Sequence, residues 1–414
     1  MTRRSILFVT DELFLPLPSK NASGWLYYTM AETYKKRGWK VCCVSFFRDP
    51  RLAGSSEVNA AYRELFSHFL LLPGWNRGGH PLGAVGQVWR EVERAVTGNV
   101  LSSHPFLLTN GIGNARRIAE ALNEWQVDVV YLAKPQSVQL LGRVLPLLRN
   151  SQKPLVVMSA HDDFVNRAIA YRGTYRRLFD ALSLPEILRN HGNAWVRHHL
   201  ERIDVTRSRR AEAEVFDACD LVRVESAEEF SSYSAISRST AKLSHKPFSY
   251  VAPIRQSEVT ASHAFDAGFI GSNDVMNLDA VLYLRDVILP IVRTVAPEFR
   301  MLVAGGIASK VRPLVEGVGN ITVWDRLDNV SDFYRAIRVA AVPLRAGTGV
   351  SIKVLEALSF GKDIVSTPVG VRGLPQKRLA GAIVTGDPNE FAHALVRERI
   401  RGGAKDTISP KVMV

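Results

Sequence analysis

The sequence predicts an α/β protein built from two Rossmann-like domains with parallel sheets. Short apolar runs alternate with amphipathic helical patterns over most of the 414 residues, and that alternation lapses once, near Val251–Ser262, before it restarts. No stretch of eighteen apolar residues interrupts it, so no membrane-spanning helix is expected.

Ile6–Thr10 reads as the opening strand and Pro16–Gly24 as a Pro- and Ser-containing loop. Trp25–Arg37 has the spacing of an amphipathic helix, Gly38 stops it, and Val41–Phe46 reads as the next strand. Further strands are predicted at Asp128–Leu132, Pro154–Ser159, Leu221–Val224 and Phe248–Ala252, with helices at Asn114–Trp125 and Ser208–Ala218. After the Pro, Ser, Thr and Gln of Val251–Ser262, strand patterns recur at Ala267–Ile270, Arg300–Ala304, Ile321–Trp324, Val339–Val342 and Asp363–Ser366. Helices are predicted between them at Leu278–Thr294, Val330–Ile337 and Val350–Phe360. The expected organisation is a first domain over 1–255, a second over 262–395 and a basic, weakly patterned tail over 396–414.

With 46% hydrophobic and 22% charged residues the chain is globular rather than disordered. Its two N-terminal arginines precede too short an apolar run for a signal peptide, and the expected location is the cytoplasm. Cys42, Cys43 and Cys219 fit neither metal-ligand nor disulfide spacing and are expected to be buried thiols. The net charge of +13 calls for an anionic partner. Between Arg167 and Arg210 stand ten arginines and no lysine against Asp180, Glu186, Glu201 and Asp204. That stretch is read either as a solvated helix face or as a patch for anionic lipid or a phosphorylated acceptor, with Trp195 and Phe179 at the interface and an association at the inner face of the membrane. The basic and aromatic residues are not interleaved as base stacking requires, so nucleic acid is not the expected partner. Gly74–His80 is expected to be a surface loop.

Ligands of open parallel sheets bind beyond the carboxyl ends of the strands, where glycine admits them to the backbone and helix N-termini face anions. Three such places follow the strands of the second half: Gly271, Ser272 and Asn273; Gly305 and Gly306; and the loop Arg345–Gly349 that leads into a helix carrying Lys353 and Glu356. Arg345 and Lys353 bracket the last loop, although a Lys/Glu pair at this spacing also occurs simply as helix surface.

The stretch Pro343–Leu374, PLRAGTGVSIKVLEALSFGKDIVSTPVGVRGL, resembles the donor-binding signature of retaining glycosyltransferase family 4, whose members have the two-domain GT-B fold and are also known as glycosyl transferases group 1. Gly268–Asn273, Asn277–Ala280, Val303–Gly306 and Val323–Asn329, which includes Leu327, fall in the family's order, and weaker likeness covers Ile6–Gly24, Asp128–Tyr131 and Ser159–Asp162. The resemblance implies two parallel sheets facing across a cleft, an acceptor-binding first domain and a nucleotide-sugar donor domain. It implies that Glu356 takes ribose hydroxyls and that Arg345 and Lys353 neutralise the diphosphate. Gly271, Ser272, Asn273, Gly305, Leu327, Gly347, Thr348, Gly349 and Val350 would line the donor, and His161 would bond its sugar. Ser23, Gly24 and Asp162 would lie on the acceptor side, Asp162 capping a helix or orienting His161. Thr348 stands where many members carry a first glutamate, and the loop's backbone is expected to take over that contact.

By this resemblance the protein is expected to be a retaining hexosyl- or related sugar transferase, with a nucleotide sugar as co-substrate, a saccharide or lipid-linked acceptor, and neither cofactor nor metal. His161–Asp162–Asp163 offers too few convergent ligands for a metal site. A sugar-nucleotide 2-epimerase of the same fold, or a non-catalytic transferase-like binding protein, remains open at this stage. A dinucleotide dehydrogenase is disfavoured because the glycine fingerprint is missing.

Overall fold

A computed structural model describes residues 4–10, 14, 22–47, 55–73, 92–101, 105–149, 153–200, 202–237, 242–247, 263–327 and 329–406. The chain divides into two compact units: 1–169 with 192–248, and 170–191 with 249–414. The expected strand Phe248–Ala252, the linker Val251–Ser262, the loop Gly74–His80 and most of the loop Pro16–Gly24 lie outside the described residues.

The first unit holds, among the described residues, a seven-stranded sheet in the order β3-β2-β1-β4-β5-β6-β7. Its strands are β1 (Ser5–Thr10), β2 (Lys40–Phe47), β3 (His68–Pro73), β4 (Val129–Leu132), β5 (Leu155–Ala160), β6 (Leu221–Val224) and β7 (Leu243–His245), every pairing parallel. The apolar run of β1 is explained by burial on both faces. Ile6 and Phe8 pack with Tyr27, Ala31 and Tyr62 on one side, while Leu7 and Val9 pack with Ala115, Ile118 and Leu122 on the other.

The second unit holds, among the described residues, a six-stranded parallel sheet in the order β10-β9-β8-β11-β12-β13. Its strands are β8 (Phe265–Ile270), β9 (Met301–Ala304), β10 (Ile321–Trp324), β11 (Ile337–Val342), β12 (Asp363–Ser366) and β13 (Ile383–Val384). The strand order reverses at the β8/β11 pair, so the loops after these two strands splay to opposite sides of the sheet and leave room between them.

Most predicted elements are present with ends moved by a few residues. The first helix begins at Ala22, three residues early, which puts Ser23 and Gly24 in its first turn rather than in a loop. The long helix expected at Leu278–Thr294 runs Val275–Tyr283, widens to a π-turn at Leu284–Ile288 and resumes at Leu289–Val295. Pro290 accounts for the widening, since it has no N–H for the carbonyl one turn back. The terminal helix Pro388–Asp406 continues well past residue 396, where a weakly patterned tail was expected. Strand β3, the helices Ser56–Leu65 and Pro135–Val144, and the helix Ala227–Ile236 have no counterpart in the sequence prediction.

All three cysteines are free and buried, as expected. Burial pushes the Cys42 thiol up to about 11 and that of Cys219 to about 12, so neither is a nucleophile at neutral pH. Among the described residues, no helix is long and apolar enough to cross a membrane.

Candidate functional site

In the second unit, three loops at the carboxyl ends of β8, β9 and β11 are held by glycines and by main-chain hydrogen bonds. Gly305 has φ +99°, and a Cβ there would lie 2.6 Å from the carbonyl oxygen of Gly271. The same carbonyl accepts from the Ile307 amide at 3.1 Å, while the Gly271 amide donates to Ala304 at 2.9 Å. A Cβ on Gly306 would meet the Asn273 amide nitrogen at 3.3 Å. The first two loops therefore touch backbone to backbone, a contact only glycine permits. Asn277 ties Ser272 down through its carbonyl at 2.9 Å and its hydroxyl at 3.1 Å. Asp274 caps the next helix by accepting from the Met276 amide at 2.8 Å, and Tyr171 donates to its other oxygen.

The third loop, Pro343–Ser351, is clasped by Arg372. Its Nε donates to the Thr348 carbonyl at 2.8 Å and its Nη1 to the Val369 carbonyl at 3.0 Å. The guanidinium occupies the space where a Cβ of Gly347 would stand. Gly349 and Gly373 turn the chain with φ +70° and +72°, and a Cβ on Gly373 would strike Val350. The loop delivers the chain into the helix Ile352–Ser359, whose first amides have no partner within the helix. Ser351, 2% exposed at its N-cap, has a hydroxyl with no hydrogen-bond partner among the described residues.

Lys353 follows in the first turn, with its Nζ 5.7 Å from the centroid of the Phe269 ring. Burial, reinforced by the positive charge of Arg372, brings its ammonium down to about 8 against the opposing pull of Glu356 and Asp274. No hydrogen bond or ion pair from a described residue reaches it. One turn further, Glu356 accepts from the Tyr334 hydroxyl at 3.0 Å. Arg345 is differently placed: it grips the buried carboxylate of Asp279 through Nη2 at 2.6 Å and Nε at 3.1 Å, and lies 4.7 Å over the Tyr283 ring. Arg177 holds the same carboxylate from its other side, at 3.1 and 3.2 Å. Leu327 packs against the core of this unit.

In the first unit, His161 leaves the end of β5 with both ring nitrogens engaged. Nδ1 stands 2.8 Å from Glu225 Oε1 and Nε2 2.6 Å from the Tyr27 hydroxyl. Burial lowers the pKa of the imidazole; the charge and hydrogen bond of Glu225, aided by Asp162 and opposed by Lys134, more than offset this and raise it. The carboxylate of Asp162 pairs with Arg167, while the helix Phe164–Ala181 is capped by Asp163, which accepts from the Asn166 amide at 2.9 Å. The carboxylate hydrogen-bonded to His161 is that of Glu225. Asp163 in turn is held by Arg209 at 2.8 and 2.9 Å. Among the described residues, no three His, Cys, Asp or Glu side chains are grouped to hold a metal ion.

Residues 264–398 match the family model described as Glycosyl transferases group 1. The second unit is thus similar to a group 1 glycosyltransferase domain. No curated protein sequence matches the chain. Among solved structures, HepE from Anabaena in complex with UDP and glucose is 11% identical over 97% of this chain and 93% of that one, with a TM-score of 0.56. TarM is 8% identical over 98% and 95%, with a TM-score of 0.61. Sucrose-phosphate synthase from Thermosynechococcus elongatus is 13% identical over 97% and 94%, with a TM-score of 0.56. At such identities the likeness is one of fold, and the fold is that of the GT-B glycosyltransferases.

The second unit brings Gly271, Ser272, Asn273 and Gly305 into one loop cluster, and gathers Gly347, Thr348, Gly349, Val350, Lys353 and Glu356 on the third loop and its helix. Arg345 belongs to that loop and shares the carboxylate of Asp279 with Arg177. Sequence reasoning assigned no role to Arg372, Asp279, Ser351 or Tyr334 in this domain, nor to Glu225 and Tyr27 in the first unit. A signal existed for Arg372 and Ser351, which lie inside Pro343–Leu374, and for Asp279, inside Asn277–Ala280, both stretches that resemble the family; Tyr334, Glu225 and Tyr27 lie in none.

Proposed function

We propose that this protein is a retaining, metal-independent glycosyltransferase that moves a sugar from a nucleotide-diphosphate sugar to a hydroxyl of a glycan, glycolipid or lipid-linked acceptor, in the synthesis of surface polysaccharide or a glycoconjugate. The family match and the fold support sugar transfer, and the complex of HepE with UDP and glucose supports a nucleotide sugar as donor. The observation that carries the reading is Lys353: a largely desolvated ammonium, without a described ion-pair partner, in the first turn of a helix whose N-cap hydroxyl is buried and unpaired. Those groups suit a pyrophosphate, which supplies both the negative charge and the acceptor oxygens.

In this reading, negative charge grows on the leaving phosphate as the bond from sugar to phosphate loosens. A preorganised cation there lowers the barrier by about 2–4 kcal/mol. Lys353 fills that role, and Ser351 donates its hydroxyl to the same group. Glu356 accepts the ribose hydroxyls while Tyr334 fixes its carboxylate. Arg345 shares the single carboxylate of Asp279 with Arg177, which leaves a net positive charge beside the loop Gly347–Val350 for the diphosphate. The acceptor oxygen attacks the face from which the phosphate leaves, through an oxocarbenium-like state, and the departing phosphate takes its proton, so no carboxylate nucleophile is needed. Acceptor handling falls to the first unit, with Ser23, Gly24 and Asp162. For His161 to bond a sugar, its Nε2 has to exchange Tyr27 for the sugar hydroxyl.

A thermal-shift series with UDP, GDP and dTDP tests the donor site. One of them should stabilise the protein by about 2.7 kcal/mol at a hundredfold excess over its Kd, and Glu356→Ala should remove the effect. If none of the three shifts the melting temperature, the reading fails. With the donor known, transfer to an acceptor should survive a chelator, and the product should keep the donor's anomeric configuration.

A further inference from the structure

Tyr334 lies in the helix Val330–Ala336, 1% exposed, and its hydroxyl donates to Glu356 Oε2 at 3.0 Å. The ring has little freedom to do otherwise. It stacks on Phe360 at 4.6 Å with 14° between the planes, and Phe333 meets it edge-on at 5.0 Å and 81°. Phe360 closes the helix Ile352–Ser359, which carries Glu356 one turn earlier, so the tyrosine grips that helix both at its end and through a side chain in its middle. Glu356 is half-buried, and a glutamate so placed ordinarily keeps several rotamers. The hydrogen bond from a packed ring selects among them.

A carboxylate held in this way favours one kind of partner. Its two oxygens lie in one plane and offer about four acceptor positions, of which the tyrosine takes one. A single hydroxyl is met from many orientations of a carboxylate, whereas two vicinal hydroxyls are met together only when its plane is set, as with the paired donors of a guanidinium. In a nucleotide the vicinal pair is the 2′ and 3′ hydroxyls of ribose. A 2′-deoxyribose lacks it.

On the proposed reading that Glu356 takes the ribose hydroxyls, we infer that Tyr334 is a positioning residue that holds the carboxylate for the 2′ and 3′ hydroxyls together, and so makes the site selective for a ribonucleoside diphosphate over its 2′-deoxy counterpart. UDP and GDP then suit the site and dTDP does not. Losing the 2′-hydroxyl removes one hydrogen bond to a charged group, which lowers affinity about thirtyfold.

Isothermal titration of the full chain with UDP, GDP, their 2′-deoxy counterparts and dTDP tests this. The wild type should bind UDP or GDP about thirtyfold more tightly than the matching 2′-deoxy diphosphate. Tyr334→Phe keeps the ring and its stacking but removes the donor, so the preference should shrink to about threefold, through weaker binding of the ribonucleotide and little change for the deoxynucleotide. A tyrosine that serves the fold alone would weaken both nucleotides alike. The inference is overturned if the wild type shows no preference, a comparison that decides even if Tyr334→Phe fails to fold, or if the variant keeps the wild-type ratio. Binding of dTDP without UDP or GDP overturns it and leaves the donor reading standing; binding of none of these diphosphates overturns both.

Discussion

His161 and Glu225, sixty-four residues apart, meet at 2.8 Å between Nδ1 and Oε1. The contact fixes the ring: Nδ1–H donates to the carboxylate, leaving Nε2 toward the Tyr27 hydroxyl. Glu225→Gln keeps a hydrogen-bond acceptor but removes the charge, so the His161 pKa, followed by NMR, should fall. A group whose folded pKa is raised contributes stability that is full below its unfolded value and lost as pH rises through the folded one. The melting temperature of Glu225→Gln should therefore lie below that of the wild type in mildly acidic buffer and approach it at alkaline pH. An unchanged His161 titration would show that Glu225 does not set its charge.

For Lys353 the sign is opposite. With its ammonium brought down to about 8, affinity for a nucleoside diphosphate should weaken as pH rises through that value, and Lys353→Met should bind weakly at every pH. Isothermal titration between neutral and alkaline pH reads both. Because the folded pKa lies below the unfolded one, the charge opposes folding below about pH 8, and that penalty is relieved as pH rises.

Asp279 is 1% exposed and shared by two guanidinium groups, so its removal takes the carboxylate partner from both. Asp279→Ala should lower stability by about 2 kcal/mol. Arg345→Gln keeps Arg177 on the carboxylate and should be milder. Chemical denaturation of the two variants checks the order.

Gly305→Ala meets both a positive φ and the Gly271 carbonyl. The expected loss is about 1–3 kcal/mol in stability, with nucleotide affinity falling further because two site loops share the contact. A variant that melts with the wild type would show that the loops separate easily.

Glu212 is fully buried beside Arg209 and Asp163. Burial, against the pull of Arg209 and with the push of Asp163, lifts its carboxyl to about 7. The folded state therefore holds a proton that the unfolded state has lost, and stability should fall as pH rises from about 4.5 to 7. Glu212→Gln should flatten that decline in a pH series of melting temperatures.

What the sequence made legible was local. The β1 run and the alternation from Phe265 to Ser366 follow from burial on both faces of a parallel sheet, a pattern that needs only neighbours along the chain. The glycine loops were legible for the same reason. Glu225, Asp279 and Tyr334 were not, because each acts on a residue from 22 to 66 positions away, and nothing in local spacing marks such a pairing. Asp162 and Asp163 show the remaining limit: adjacent and chemically identical, they part only when the helix start decides which one reaches a free amide.

Arg372 grips the third loop through the carbonyls of Thr348 and Val369, and its guanidinium fills the space above Gly347. Such a clasp is blind to the side chain at 348 but intolerant of bulk at 347. Position 348 is thus open to natural drift or to redesign: a carboxylate or amide introduced there would change what the loop offers a bound sugar without unmaking the loop itself.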